Sequence, residues 1–146
     1  MKILVLHGPN LNLLGEREPA VYGKLTLAEI DVRIAARGKE LGAEVQSAQS
    51  NVEGILVDKI QDARTWAAGI ILNAGGYSHT SVAIRDAVAS ITIPVVSVHL
   101  TNPAAREEFR RTDILATATK GAVAGFGWRS YLVALEGLVA LLRPSE

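Results

Sequence analysis

Short apolar runs recur along the chain, and between them apolar positions return every three or four residues. The runs are KILVLH (2–7), AEVQSAQ (43–49), GIILN (69–73) and IPVVSVHL (93–100), with a weaker, small-residue candidate in GAVAGF (121–126). Near-continuous stretches such as ILVL, GIIL and PVVSV predict strands buried on both faces. The intervening segments predict helices at 26–42, 53–67 (EGILVDKIQDARTWA), 81–91 (SVAIRDAVASI) and 128–142 (WRSYLVALEGLVALL). Thr26 and Glu29 have the spacing of a capping box, and Gly42 suits the position just past a helix end. The last helix is apolar around much of its circumference, so it is expected to pack on the sheet and to meet another subunit.

Strand and helix alternate without repeats or linkers, the pattern of an α/β fold with a parallel sheet. Right-handed crossovers put helices on both faces. A barrel of this type needs about 250 residues. The expectation is therefore a single catalytic domain over 1–146, a flavodoxin-like doubly wound five-stranded parallel sheet with helices on both faces.

Composition narrows the chemistry. Fifteen basic and fifteen acidic residues cancel, which removes the electrostatic argument for nucleic acid or an anionic membrane. No cysteine is present, which excludes disulfides, thiol catalysis and Cys-ligated zinc. MKILVLHGPN has too short an apolar run for a signal peptide, and no stretch reaches the ~20 apolar residues of a membrane span. A cytoplasmic protein is expected.

Ligands of open parallel sheets bind beyond the carboxyl ends of the strands. After the first run come His7 and GPNLN, with Asn10 and Asn12; after the third, NAGGYSHTS, with Asn73, Ser78 and His79; after the fourth, His99, LTN, Arg106 and Arg110. All three histidines of the chain thus fall at one sheet edge. A loop punctuated by Gly15, Pro19 and Gly23 rises from the same edge and carries Arg17 and Tyr22. Asn10 and Asn12 would also serve as turn residues, and Ser78 or Thr80 as a helix cap. A three-histidine metal site lacks a carboxylate following a strand, and HGPNLNLLG lacks the Lys and Ser/Thr of a P-loop.

At these residues the sequence resembles the type II 3-dehydroquinate dehydratases. LVLHGPNLNLLGEREPAVYG, QSNVEG, ILNAGGYSHTSVAIRDA, VHLTNPAAREEFR and GAVAGFGWRSYLVAL align with the family pattern in order and nearly end to end. The resemblance implies a hydro-lyase that converts 3-dehydroquinate to 3-dehydroshikimate by anti elimination through an enolate. It implies no metal and no organic cofactor, and a homo-oligomer, commonly a dodecamer built from trimers. By resemblance Tyr22 is the base, Arg17 activates it, Asn10 orders a water at the enolate oxygen, and His99 is the general acid. Asn73, His79 and Arg110 hold the substrate's hydroxyls, and Leu100 and Thr101 its carboxylate. Asp86 reaches the site from a neighbouring subunit. A free phenol ionises near pH 10, so only about one in a thousand is phenolate at neutral pH. A fixed guanidinium favours the charged form, more so once a lid excludes water.

The chain departs from the family pattern at four places. A glutamate two residues before the catalytic histidine is Ser97; histidines expected at 52 and 104 are Val52 and Ala104; a glutamate four residues after Asp86 is Ser90. Ser97 can offer His99 a hydrogen bond but no charge. Glu53, which follows the second strand, is a candidate to supply that charge.

Overall fold

Apolar runs become interior strands here because each has a neighbour on both sides and a helical layer above and below. The computed structural model describes residues 1–144. In β1 (Lys2–His7), Ile3 and Val5 face one layer while Leu4 and Leu6 face the other, and all four are buried. β3 (Gly69–Asn73) and β4 (Val95–His99) behave alike. β2 (Glu44–Gln49) and β5 (Gly121–Ala124) are the edges, which explains their more polar or small-residue sequences. All pairings are parallel, in the order β2-β1-β3-β4-β5. This is the flavodoxin-like order, whose switch point lies between β1 and β3.

One layer holds α2 (Leu27–Glu40) and α5 (Arg129–Leu142), packed through Ile30, Ile34, Tyr131, Leu135 and Leu138. The other holds α3 (Glu53–Ala63) and α4 (Val82–Ser90), packed through Leu56, Ile60, Ile84 and Val88. Among the described residues no helix is long and apolar enough to cross a membrane.

At α2 one half of the expected capping box forms, Thr26 Oγ1 accepting the Glu29 N–H at 3.2 Å, and Gly42 takes a left-handed φ of 78° past the helix end. At α4 the capping expectation is corrected. The cap is Ser81, whose Oγ accepts the Ile84 N–H at 3.0 Å, while Ser78 is buried one turn earlier. α3 stops at Ala63, before the expected end at 67, because the Thr65 hydroxyl bonds back to the Asp62 carbonyl in a closing turn. The 13–26 stretch is not a plain loop: Pro19 opens a helical turn, α1 (Pro19–Tyr22), and Gly23 ends it at φ 91°.

Candidate active site

Parallel pairing brings the carboxyl ends of β1, β3 and β4 side by side, and their following turns wall a cleft of about 170 Å³. Pro9, Asn10 and Leu11 come from beyond β1. Asn73, Gly75, Gly76 and His79 follow β3, and His99, Leu100, Thr101, Pro103, Arg106 and Arg110 follow β4. Arg17 and Tyr22, from the α1 segment, close the rim. Every site residue expected from the sequence lines this cleft except Asp86. Asp86 is on α4, its side chain 62% exposed, beside Arg85 at 3.1 Å.

The backbone at the cleft floor is tightly set. Gly8 donates its N–H to the Asn73 carbonyl at 2.7 Å, and a Cβ there would lie 2.7 Å from the Ala74 carbonyl carbon. Asn10 adopts φ 68°, a conformation that asparagine tolerates, and its N–H donates to Asn51 Oδ1 at 2.9 Å. This orients the loop after β1 against the end of β2.

Tyr22 and three arginines dominate the charge. The Arg17 guanidinium lies over the Tyr22 ring, 4.7 Å from its centroid. Arg106, placed at this edge by the sequence but given no role, donates its Nη2–H to the Tyr22 phenol oxygen at 3.1 Å and its Nη1–H to Thr101 Oγ1 at 3.3 Å. Arg17 thus lies on the ring face while Arg106 contacts the phenol oxygen. Arg110 is held by Glu107, its Nε–H donating at 2.6 Å. Arg106 has an extended backbone between two short helical turns, so its position beyond β4 was the only sequence signal for it.

The three histidines divide. His79 and His99 line the cleft, whereas His7 is fully buried beneath it. His7 Nε2–H donates to Asp31 Oδ1 and its Nδ1 accepts the Tyr131 hydroxyl, both at 2.7 Å. Tyr131 in turn accepts from Asn73 Nδ2 at 3.0 Å, and Asn73 Oδ1 accepts the Gly75 N–H at 3.2 Å. This proton order is that of a neutral His7 whose Nε2–H faces the Asp31 carboxylate, and it leaves the single Tyr131 proton for Nδ1. His79 Nδ1–H donates to the Thr112 carbonyl at 2.7 Å, which leaves Nε2 as an acceptor.

His99 Nε2 is 3.3 Å from Asp113 Oδ2. The expectation that Glu53 serves His99 is therefore corrected: Glu53 accepts the Ser81 hydroxyl at 2.6 Å, and the carboxylate on His99 belongs to Asp113. No local pattern announces this, because Asp113 returns to β4 from beyond two helical turns (Pro103–Ala105 and Glu108–Arg111).

Residues 1–139 match the family described as Dehydroquinase class II. The chain belongs to this family. It is 54% identical over 143 residues to a protein of Nostoc sp. named 3-dehydroquinate dehydratase, covering 98% of this chain and 97% of that relative. Among solved structures, the type II dehydroquinase from Butyrivibrio crossotus matches with a TM-score of 0.92 at 42% identity, covering 94% of this chain and 97% of the other. The type II dehydroquinase from Propionibacterium acnes also gives 0.92, at 37% identity over 95% of this chain and 96% of that one. Ser97, on β4 two residues before His99, has a buried hydroxyl without a partner among the described residues, as does Ser78.

Proposed function

We propose that the chain is a hydro-lyase that dehydrates 3-dehydroquinate to 3-dehydroshikimate, in the shikimate pathway or in quinate breakdown. The observation that carries the mechanism is Tyr22, whose phenol oxygen accepts from Arg106 and whose ring lies under Arg17, in the same cleft as His99. Both guanidiniums stand beside the group that carries negative charge when Tyr22 acts as the base. The phenolate takes the proton alpha to the ketone, and the electron pair passes to the carbonyl oxygen as an enolate. Asn10, through an ordered water, stabilises that oxygen. Collapse of the enolate expels the β-hydroxyl, which His99 protonates to water.

The remaining roles are those the family resemblance implies, and the free donors and acceptors of these side chains suit them. Thr101 Oγ1 already accepts from Arg106, so its own proton is free to meet the substrate carboxylate beside Leu100. The free Nε2 of His79 accepts a substrate hydroxyl, with Asn73 and Arg110 holding the others. Asp86, exposed and outside its own cleft, completes the site of a neighbouring subunit in a dodecamer built from trimers. The enzyme works in the cytoplasm.

The test is direct. 3-Dehydroquinate is added to the protein, and the ultraviolet absorbance of the conjugated product is followed. Turnover is expected; no absorbance change at high enzyme concentration would reject the reading.

A further inference from the structure

We propose that Asp113 is the positioning residue of His99, holding the imidazole by its Nε2–H and stabilising the protonated ring from which the leaving hydroxyl takes its proton. The proposal rests on the reading of His99 as general acid.

Both oxygens of the Asp113 carboxylate are committed. Oδ1 accepts the N–H of Leu115 at 2.9 Å, and Oδ2 faces His99 Nε2 at 3.3 Å. Leu115 is fully buried in the core beneath α3 and α4, so its backbone is a rigid anchor. The pair is largely shielded: the His99 side chain is 12% exposed and that of Asp113 25%. A carboxylate fixed in this way sets the ring plane and the tautomer, with Nε2 carrying a proton. Nδ1 has no partner among the described residues and is the atom left to donate.

The charges around the ring make that carboxylate consequential. From the lid come Arg17 and the phenol of Tyr22, from the segment after β4 Arg106 and Arg110, and from the turn after β3 His79. Glu107 is exposed and bonded to Arg110. No carboxylate lines the cleft among the described residues. A base that works as an anion and an acid that works as a cation need opposite charges beside them within one small site, and the cleft lining supplies only guanidiniums. Asp113 supplies the local negative charge that separates them. Ser97, the position on β4 where a charge is missing, has a buried and unpartnered hydroxyl. Burial pushes the Asp113 carboxyl up, but the bonds from His99 and Leu115 and the charges of His99 and His79 outweigh it and hold the group below its ordinary value.

The informative variant is Asp113→Asn, which keeps the shape and the acceptor for Leu115 but removes the charge. The expected result is a fall in kcat of about 10- to 100-fold, with KM changed less than about two-fold. The alkaline limb of the kcat profile moves to lower pH. Nitrogen NMR of the ligand-free protein provides a reading independent of turnover: the His99 imidazole loses its proton at lower pH in the variant than in the wild type. Wild-type kcat and pH profile in Asp113→Asn would overturn the proposal. So would a lowered melting temperature with the His99 titration unmoved, which would mean a purely structural role. A wild-type protein that fails to turn over 3-dehydroquinate would reject the proposed reaction instead, and the NMR comparison would still decide the pairing.

Discussion

Tyr22 contacts two arginines by different means. Arg17 lies against its ring face and Arg106 donates to its oxygen. Removing the phenol oxygen in Tyr22→Phe leaves the apolar packing of the ring, so KM should stay near wild type while kcat falls by ~10²–10⁴-fold. Steady-state kinetics check this, and near-normal turnover would mean that another group is the base. Arg106→Ala removes a hydrogen bond to a group that becomes charged, worth about 1.5–3 kcal/mol, or roughly 10- to 100-fold in kcat. In a Tyr22→Phe background the same substitution should cost little more, because the oxygen it serves is gone. Additive losses in that double-mutant cycle would show that Arg106 acts on the substrate and not on Tyr22.

At the scale of elements, the cleft floor is tied to α5 and α2 by one buried chain of hydrogen bonds. Asn73 at the end of β3 donates to Tyr131 on α5, Tyr131 to His7 at the end of β1, and His7 to Asp31 on α2. The network holds the Asn73 amide in one orientation and so presents it consistently to the cleft. Burial pushes the Tyr131 phenol well above its ordinary range, with the Asp31 charge adding to the shift and the Asn73 bond opposing it. A raised phenol contributes stability that is fully present below about pH 10, where the unfolded phenol ionises, and is lost as pH rises beyond. Tyr131→Phe should therefore cost about 1–3 kcal/mol at neutral pH by leaving His7 and Asn73 unpaired. The gap in melting temperature between wild type and variant should narrow above about pH 10. A gap that stays constant from pH 7 to 11 would show that the phenol does not resist ionisation in the fold.

At the scale of the whole molecule, the proposed role of Asp86 in a neighbouring subunit's site would tie activity to assembly. Asp86→Ala should lower activity although the residue is remote from its own cleft. The two defects, Tyr22→Phe and Asp86→Ala, then fall in different subunits' contributions to one site. Oligomers reassembled from a mixture of the two variants should recover a fraction of the activity that neither has alone, since some sites receive an intact Tyr22 and an intact Asp86. No recovery in mixed oligomers, with exchange verified by mass, would place Asp86 outside the active site.

The sequence by itself determined the layers and the edge at which the cleft lies. Buried strands that alternate with amphipathic helices leave few topologies, and the residues following each strand are then neighbours whatever the details. The GPNLN, NAGG and HLTN turns were legible for that reason, and Arg17 and Tyr22 were legible through the family pattern. Tertiary structure alone decided which groups touch. His7, Asp31 and Tyr131 are remote in sequence, and their meeting depends on helix packing against the sheet. Arg106 reaches Tyr22 across 84 positions. Asp113 reaches His99 only because two helical turns fold the chain back over β4. Hydrophobic periodicity reports which face of an element is buried, a local property; the pairing of charges depends on loop paths and on the few ångströms that separate a hydrogen bond from a gap.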